Sequence, residues 1–175
     1  MTLIPTLLTG RLRLRAPILA DFEAYAAMWA DERTTRFIGG SPRDTNTSWL
    51  RFIGVQGLWD FMGYGYWTFA DRQSDAFVGM GGLSYFARGV PQLEGVAEAG
   101  WTIAPDYWGN GLVSEAMQAV IDWSDAERGG QEIRCIIDNG NAASERVAQK
   151  LGFAGMGMAM LGDKPVNVYA RPARR

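Results

Sequence analysis

The sequence contains no histidine. Histidine is the usual general base of nucleophilic triads and the commonest side chain in metal sites, so its absence excludes histidine-based triads and histidine-rich metal centres. Acid–base chemistry near pH 7 must then use carboxylates, tyrosine, lysine, a thiol or water. We expect an enzyme of this composition to work without a metal.

Cysteine is almost absent as well. Cys135, in the apolar stretch "IRCII", is the single cysteine, so the chain cannot form an internal disulfide and fits a reducing compartment. Its surroundings predict a small core residue. No apolar run reaches the ~18 residues of a membrane span, and the N-terminal stretch lacks the pattern of a signal peptide. We therefore predict a cytoplasmic protein that does not bind membranes.

No strong charge of either sign is present. The chain has 17 basic and 19 acidic residues, a net charge of -2, which gives no electrostatic basis for binding nucleic acid. Its 175 residues and 47% hydrophobic content predict a single domain over residues 1–175. A homodimer through exposed strands or the second helix is possible, because sequence alone does not separate such a surface from core.

The hydrophobic pattern alternates between strand and helix periods. It predicts a strand at 11–16, helices at 19–32 and 44–62, strands at 64–70, 76–87 and 96–104, a helix at 112–127, a strand at 132–138, a helix at 141–153 and a strand at 166–172. The helix before 132–138 indicates that this strand runs parallel to an earlier one. The order predicts a mixed α/β sheet.

Two glycines precede the predicted helix at 112, in the stretch "PDYWGNGLVSEA" (105–116). Free N–H groups and the helix dipole form an anion site at such a point, and glycine lets a phosphate approach the backbone. The spacing lacks the third glycine of the dinucleotide fingerprint and the Gly-Lys-Ser/Thr of a P-loop. By itself, the Gly109–Gly111 pattern more often marks a tight turn into a helix.

Two longer motifs give the glycine pair a context. The stretch "GWTIAPDYWGNGLVSEAM" followed by "IIDNGNAASERVAQKLGF" resembles the coenzyme-A-binding core of the GNAT N-acetyltransferases. "LLTGRLRLRAPILADFEAYAAMWAD" and "FVGMGGLS" are similar to the subgroup that includes ribosomal-protein N-terminal (alanine/serine) acetyltransferases. The resemblance spans nearly the whole chain. It implies a twisted mixed sheet of about six to seven strands with about four helices, whose two central strands splay apart.

The resemblance also implies which residues hold acetyl-CoA as co-substrate. Backbone N–H groups would cradle its pyrophosphate, at Gly109, Asn110, Gly111, Leu112, Val113 and Ser114. Ile103 would pair with the pantetheine arm through its main chain, as an added strand would. Asn141 would bond the pantetheine, and Ser144 would lie near the thioester sulfur.

Two positions depart from the family pattern. Asp106 stands where Gln or Arg often opens the pyrophosphate loop, and an acidic side chain there is unfavourable unless it points away. Ala148 stands where many relatives carry a tyrosine that protonates the departing thiolate. That role would then be vacant or would fall to Ser144 or to a water.

The implied reaction is direct attack of a primary amine, on a protein N-terminus or a small molecule, on the thioester. It needs a base and stabilisation of the oxyanion. Glu98 is our candidate base, acting directly or through water, and the resemblance supports a glutamate at this position. On its strand it shares a face with Gly100 and Thr102, whose small size would leave space for a cleft. Tyr85 is a candidate lining residue of that cleft.

Two alternatives stay open at the level of sequence. Glu98 could be a solvated strand residue, or could bind substrate without accepting a proton. The chain could also be a coenzyme-A-binding sensor or interaction module without transfer activity, which the missing last-helix tyrosine would permit.

Overall fold

The computed structural model describes residues 2–174 and contains one eight-stranded sheet. Its strands are β1 (Leu7–Leu8), β2 (Leu12–Arg15), β3 (Tyr66–Asp71), β4 (Phe77–Ser84), β5 (Ala97–Ile103), β6 (Ile133–Asp138), β7 (Ala154–Leu161) and β8 (Lys164–Arg171). They lie in the order β1-β2-β3-β4-β5-β6-β8-β7, and every neighbouring pair is antiparallel except β5 and β6.

Five α-helices accompany the sheet: α1 (Phe22–Ala30), α2 (Glu32–Thr35), α3 (Thr45–Met62), α4 (Leu112–Glu127) and α5 (Ala142–Lys150). The predicted mixed α/β fold is confirmed, and the structure adds two strands, β1 and β7, and one helix to those that the hydrophobic pattern predicted. The extra helix arises because the predicted helix at 19–32 breaks at Asp31, whose backbone is extended (φ -80°, ψ 122°). Asp31 then accepts a hydrogen bond from the Arg33 N–H and begins α2.

The sequence did not predict β7, which forms one edge of the sheet. Its residues, "AGMGMAML", are mostly exposed and include two glycines, so they lack the buried apolar run on which the other strand predictions depended. Pairing with β8 along its whole length defines the strand. No helix within residues 2–174 has the length and apolar character needed to cross a membrane.

Helices cover both faces of the sheet. On the face of Trp67, the Trp123 ring of α4 and the Trp59 ring of α3 pack at centroid distances of 5.1 and 4.6 Å from the Trp67 ring. On the opposite face, the Thr68 hydroxyl donates a 3.0 Å hydrogen bond to Asp21, immediately before α1. Because adjacent strand residues point to opposite faces, α1 and α4 lie on opposite sides of the sheet.

A buried ion pair holds the start of α1 against the sheet. The Asp21 carboxylate is 4% exposed and accepts two hydrogen bonds from Arg15 (2.8 and 2.9 Å) and one from the Ile18 N–H (3.0 Å). Burial acts to raise the pKa of Asp21, but these bonds and the charge of Arg15 outweigh it and hold the pKa below the usual value. The pair therefore stabilises the fold above the unfolded-state pKa and loses this effect as pH falls through the lower folded-state pKa.

Replacing Asp21 by Ala is expected to reduce the free energy of unfolding by about 3 kcal/mol, because it leaves the buried Arg15 guanidinium without its main partner. Urea denaturation at pH 7 measures the loss. Asp75→Ala is the matched control: it removes the other, more exposed carboxylate on Arg15 (3.1 Å) and should cost under about 1 kcal/mol. Equal losses in the two variants would contradict this assignment.

The central strands β5 and β6 diverge, as predicted. Their parallel pairing is limited to Ala97 with Ile133 and Glu98 with Arg134. Beyond Glu98, β5 stays paired with β4 as far as Ile103, and β6 stays paired with β8 as far as Asp138. A gap therefore opens between the carboxyl-terminal parts of the two strands, and α4 and α5 begin just beyond it.

Candidate functional site

One wall of the gap is the main chain of β5. The Ala104 N–H donates to the Val78 carbonyl (2.9 Å), so the main-chain groups of Ala104 point toward β4. Since these groups alternate direction along a strand, those of Ile103 and Trp101 point into the gap. The Ile103 carbonyl already accepts the Trp108 indole N–H (2.8 Å), which leaves its N–H and the main chain of Trp101 facing the gap.

The loop before α4 needs both of its glycines for the backbone. Gly109 (φ 79°) and Gly111 (φ 72°) have left-handed conformations that disfavour other residues. A β-carbon on Gly109 would have no neighbour within 4 Å, and one on Gly111 would approach only Arg11 Nη2, at 3.9 Å. Both glycines therefore serve the tight turn, and the space that their side chains would occupy is open.

Six consecutive backbone N–H groups in this turn and the first turn of α4, at residues 109–114, have no partner among the residues that the structure describes. Within residues 2–174, no acceptor takes a hydrogen bond from the N–H groups of residues 109–114, and no side chain caps α4. The first helical bond is donated by Glu115 to the Gly111 carbonyl (3.1 Å). These donors lie at the positive end of the α4 dipole, so the site can bind an anion such as a pyrophosphate.

Arg11 fixes this loop from the side of β2. Its Nη1 donates to the Asn110 carbonyl (2.9 Å), and its Nε donates to the Glu115 carboxylate (2.7 Å). Glu115 is the one acidic residue in the first turn of α4, and Arg11 neutralises it. The Asn110 side chain also belongs to the loop, since its Nδ2 donates to the carbonyls of Tyr107 and Trp108 (3.3 and 3.2 Å).

Asp106, the acidic residue that departs from the family pattern, is close enough to Arg33 of α2 for its charge to affect the pKa of that arginine. It is exposed. The hydrogen bond with Asp31 raises the pKa of Arg33, and the negative charge of Asp106 raises it further. Asp106 thus has a cation nearby, which moderates the repulsion that its charge would exert on a bound anion.

The second helix at the mouth of the gap is α5. Asn141 caps it: its Oδ1 accepts the Ser144 N–H at 3.2 Å, as the sequence indicated. In the part of the chain that the structure describes, Asn141 Nδ2 and the Ser144 hydroxyl make no hydrogen bond, so both are available. Ala148, where many relatives carry the tyrosine that protonates the thiolate, is fully buried in the core. Alanine has no ionisable group, so this position cannot supply that proton.

Glu98 and Tyr85 line one cavity of about 220 Å³, together with Phe86, Arg88 and Leu93. Glu98 is only 6% exposed, so the interpretation of a solvated strand residue is wrong. Its Oε2 lies 3.2 Å from Arg88 Nε. Burial raises the pKa of Glu98, and the charge of Arg88 partly offsets that rise. A carboxylate in this setting has the higher basicity that a general base requires.

The expected cleft above Gly100 is occupied. A β-carbon on Gly100 would overlap the hydroxyl of Tyr66, which reaches across from β3. Burial raises the pKa of Tyr66 and the charge of Glu98 raises it further, so Tyr66 keeps its proton at neutral pH and can donate a hydrogen bond. Tyr66 was not among the site residues predicted from the sequence. The available signal was Gly100, since glycine inside a strand often marks a close approach.

Cys135 is a core residue, as predicted. It is 1% exposed on β6, and burial, with a further contribution from Glu98, raises the pKa of its thiol. The thiol therefore stays protonated at neutral pH and is a poor nucleophile. This arrangement supports direct transfer over a covalent cysteine intermediate.

Comparisons with known proteins agree with this geometry. Residues 11–154 match the family described as acetyltransferase (GNAT) domain. The chain is 36% identical over 114 residues to the uncharacterized protein YkkB of Bacillus subtilis, covering 62% of this chain and 63% of that one. It is 28% identical over 152 residues to the uncharacterized N-acetyltransferase YoaA of the same organism, covering 86% and 84%.

Solved structures share the whole fold. An acetyltransferase from Agrobacterium tumefaciens superposes with a TM-score of 0.84 at 28% identity, over 97% of this chain and 95% of that one. The ribosomal-protein acetyltransferase RimL, solved in complex with coenzyme A, superposes with a TM-score of 0.74 at 17% identity, over 97% and 98%. At 17% identity, the likeness to RimL shows the fold alone. From the family match and these relatives, the chain belongs to the GNAT family and is an acyltransferase.

Proposed function

We propose that this protein transfers the acetyl group of acetyl-CoA to a primary amine, on a protein N-terminus or a small molecule, by direct attack on the thioester. The observation that carries the proposal is the row of six unpaired N–H groups at residues 109–114, beside the gap between β5 and β6. The N–H groups suit a diphosphate, and the gap suits an extended chain that contains amides; coenzyme A has both. The coenzyme A complex of RimL, on the same fold, supports the assignment.

The described residues fit the coenzyme at three points. The N–H groups from Gly109 to Ser114 would hold the pyrophosphate at the α4 N-terminus. The exposed main chain of Trp101 and the Ile103 N–H would pair with the pantetheine amides. Asn141 Nδ2 would bond the pantetheine from the other side of the gap. When bound there, the coenzyme supplies an acetyl group activated as a thioester.

The chain's own groups would handle the protons. Glu98 accepts a proton from the amine, directly or through a water, and the charge of Arg88 favours its ionised form against the effect of burial. Tyr66 donates a hydrogen bond near the reacting centre, where negative charge develops. Ser144 or a water returns a proton to the sulfur. Tyr85 lines the acceptor side. A cytoplasmic location and a homodimer stay predictions.

Isothermal titration with acetyl-CoA, and with coenzyme A as the comparison ligand, tests the proposal first. We expect saturable one-to-one binding of both, with a Kd well below about 1 mM. A thiol-release assay with a panel of amines then tests turnover. No heat of binding up to about 1 mM coenzyme would overturn the proposed function, and binding without release of thiol over a broad amine panel would overturn its catalytic part.

A further inference from the structure

The Glu98 carboxylate is buried but poorly satisfied by the protein. It lines the cavity of about 220 Å³, and among residues 2–174 its one ion-pair partner is Arg88, whose Nε lies 3.2 Å from its Oε2. No hydrogen bond of good geometry joins the two side chains. The buried carboxylate of Asp21, in contrast, accepts two hydrogen bonds from Arg15. A buried carboxylate without donors is costly, so the Glu98 oxygens are available to a ligand in the cavity.

The Arg88 guanidinium also lies over an aromatic ring. Its carbon is 4.7 Å from the centroid of the Phe86 ring, and Phe86 lines the same cavity as Glu98. The Tyr66 ring packs edge-on against Phe86, with the centroids 6.0 Å apart and the planes at 79°. A carboxylate and an aromatic face together recognise an organic cation. We call the side chains of Phe86 and Glu98 the cation box; the cation in it belongs to the chain itself.

The cation box adjoins the gap between β5 and β6. Tyr66, which packs on Phe86, covers Gly100 with its hydroxyl, since a β-carbon on Gly100 would overlap that oxygen. Glu98 and Gly100 share a face of β5 and lie about 7 Å apart along the strand. The next residue, Trp101, has its main chain facing the gap. A cation in the box would therefore lie beside the proposed place of the thioester.

The segment that carries Arg88 is loosely held. Residues 85–89 belong to no helix or strand, and within residues 2–174 they make no main-chain hydrogen bond. Ala87 has a left-handed backbone (φ 47°) although it is not a glycine, and Gly89 follows with φ 65°. Strained backbone of this kind occurs at ligand clamps and switches, and a segment with few contacts opens easily. Arg88 can therefore leave the box while Glu98 stays fixed on β5.

We propose that the cation box binds the ammonium group of the acceptor, and that Arg88 occupies it in the free protein until the acceptor displaces it. The acceptor then binds as its protonated cation, the common form of a primary amine near pH 7. An N–H bond of the bound ammonium breaks, an O–H bond forms on Glu98, and the nitrogen keeps the electron pair that attacks the thioester carbon. Departure of Arg88 promotes this transfer, because Glu98 loses the cation that stabilises its ionised form. This inference rests on the proposed function, since it names how the acceptor is bound.

Binding of a cation that cannot be acetylated tests the cation box directly. The probe is tetramethylammonium, and tert-butyl alcohol is its neutral counterpart; both are titrated into the coenzyme-A-bound protein at pH 8. Arg88→Ala empties the box and should bind tetramethylammonium about 10-fold or more tighter than the wild type does. The affinity for tert-butyl alcohol should change by less than about 2-fold. Since misfolding does not create affinity, an Arg88→Ala protein that binds the cation no better than the wild type would overturn the inference.

Two controls identify the source of the gain. In the Arg88→Ala protein, a second change of the exposed Phe86 to Leu removes the ring and should weaken tetramethylammonium binding about 5-fold, whereas Phe86→Tyr should keep it. Arg13→Gln removes a charge from an arginine that pairs with Asp75, and should leave the affinity for tetramethylammonium unchanged. A gain in Arg13→Gln equal to that in Arg88→Ala would mean that net charge alone is responsible, and would overturn the inference.

Steady-state kinetics extend the test to reactive amines. Alanyl-alanine amide represents a protein N-terminus, and 2-phenylethylamine represents a small-molecule amine. For whichever is acetylated, Arg88→Gln should lower KM about 5-fold or more, because the acceptor no longer competes with Arg88, and Arg88→Lys should restore most of the wild-type KM. An arginine that only positions Glu98 would instead lower kcat and leave KM unchanged, a result that would overturn the inference.

The inference and the proposed function fail separately in these experiments. Tighter cation binding by Arg88→Ala, without turnover of any amine by the wild type, would support the cation box and count against the catalytic proposal. Turnover by the wild type, with the same KM in Arg88→Gln, would support the proposed function and count against the cation box.

Discussion

Glu98→Gln is expected to lower kcat by about 100- to 10,000-fold, the usual contribution of a general base, and to leave the affinity for acetyl-CoA within about 2-fold. The amide keeps the size of the side chain but cannot accept a proton. Glu98 lies on the acceptor side, in the cavity with Arg88 and Tyr85, whereas the coenzyme donors lie at residues 109–114. The variant should therefore lose turnover but keep coenzyme binding.

The pH profile gives this variant a second, independent readout. Burial raises the pKa of Glu98, so in the wild-type enzyme the acidic limb of kcat/KM should have an apparent pKa above the ordinary value of 4.5. The rate rises as pH passes through that pKa, because the ionised carboxylate is the active form. In Glu98→Gln this limb should disappear, and the residual rate should follow only the ionisation of the amine.

The matched control is Glu94→Gln. Glu94 lines the same cavity but is exposed, and it has no ion pair among residues 2–174. The control makes the same chemical change a short distance from the proposed base and should retain kcat within about 2-fold. A Glu98→Gln enzyme that keeps its kcat, or that keeps the acidic limb, would show that Glu98 does not accept the proton.

The features that sequence predicted well are those set by local chemistry. The helix at 112–127 has the predicted bounds because a glycine turn precedes it and amphipathic spacing runs through it. Asn141 was predicted as an N-cap because capping depends on residues within one turn, and its side chain accepts the Ser144 N–H. The resemblance supplied the roles of these residues, which local pattern alone left undecided.

The features that sequence missed depend on strand register. Tyr66 lies two strands away from Gly100 in the sheet, and its position above that glycine follows from the pairing of Tyr66 with Gly82 and of Gly82 with Gly100. The stacking of Arg43 on the Trp29 ring likewise joins a loop before α3 to α1. Contacts of this kind connect distant parts of the chain, and no periodicity within a single element encodes them.

Gly111→Val is expected to weaken acetyl-CoA binding by about 10-fold or more while the protein stays folded. Valine at φ 72° costs about 1–2 kcal/mol, which a typical domain tolerates. Apart from Arg11 Nη2 at 3.9 Å, the β-carbon meets no atom of a residue outside its immediate chain neighbours within 4 Å. The added methyl groups therefore occupy the open space in front of the unpaired N–H groups, where a pyrophosphate would bind.

Gly162→Val separates the loss of affinity from the strain. Gly162, in the turn between β7 and β8, has a φ of 60° and open space around its own β-carbon position, so valine there carries a similar backbone cost. Thermal unfolding should shift by a similar amount in the two variants, but calorimetry should find weaker coenzyme binding only in Gly111→Val. Equal affinity in the two folded variants would mean that Gly111 serves the turn alone, and that the phosphates do not approach the backbone there.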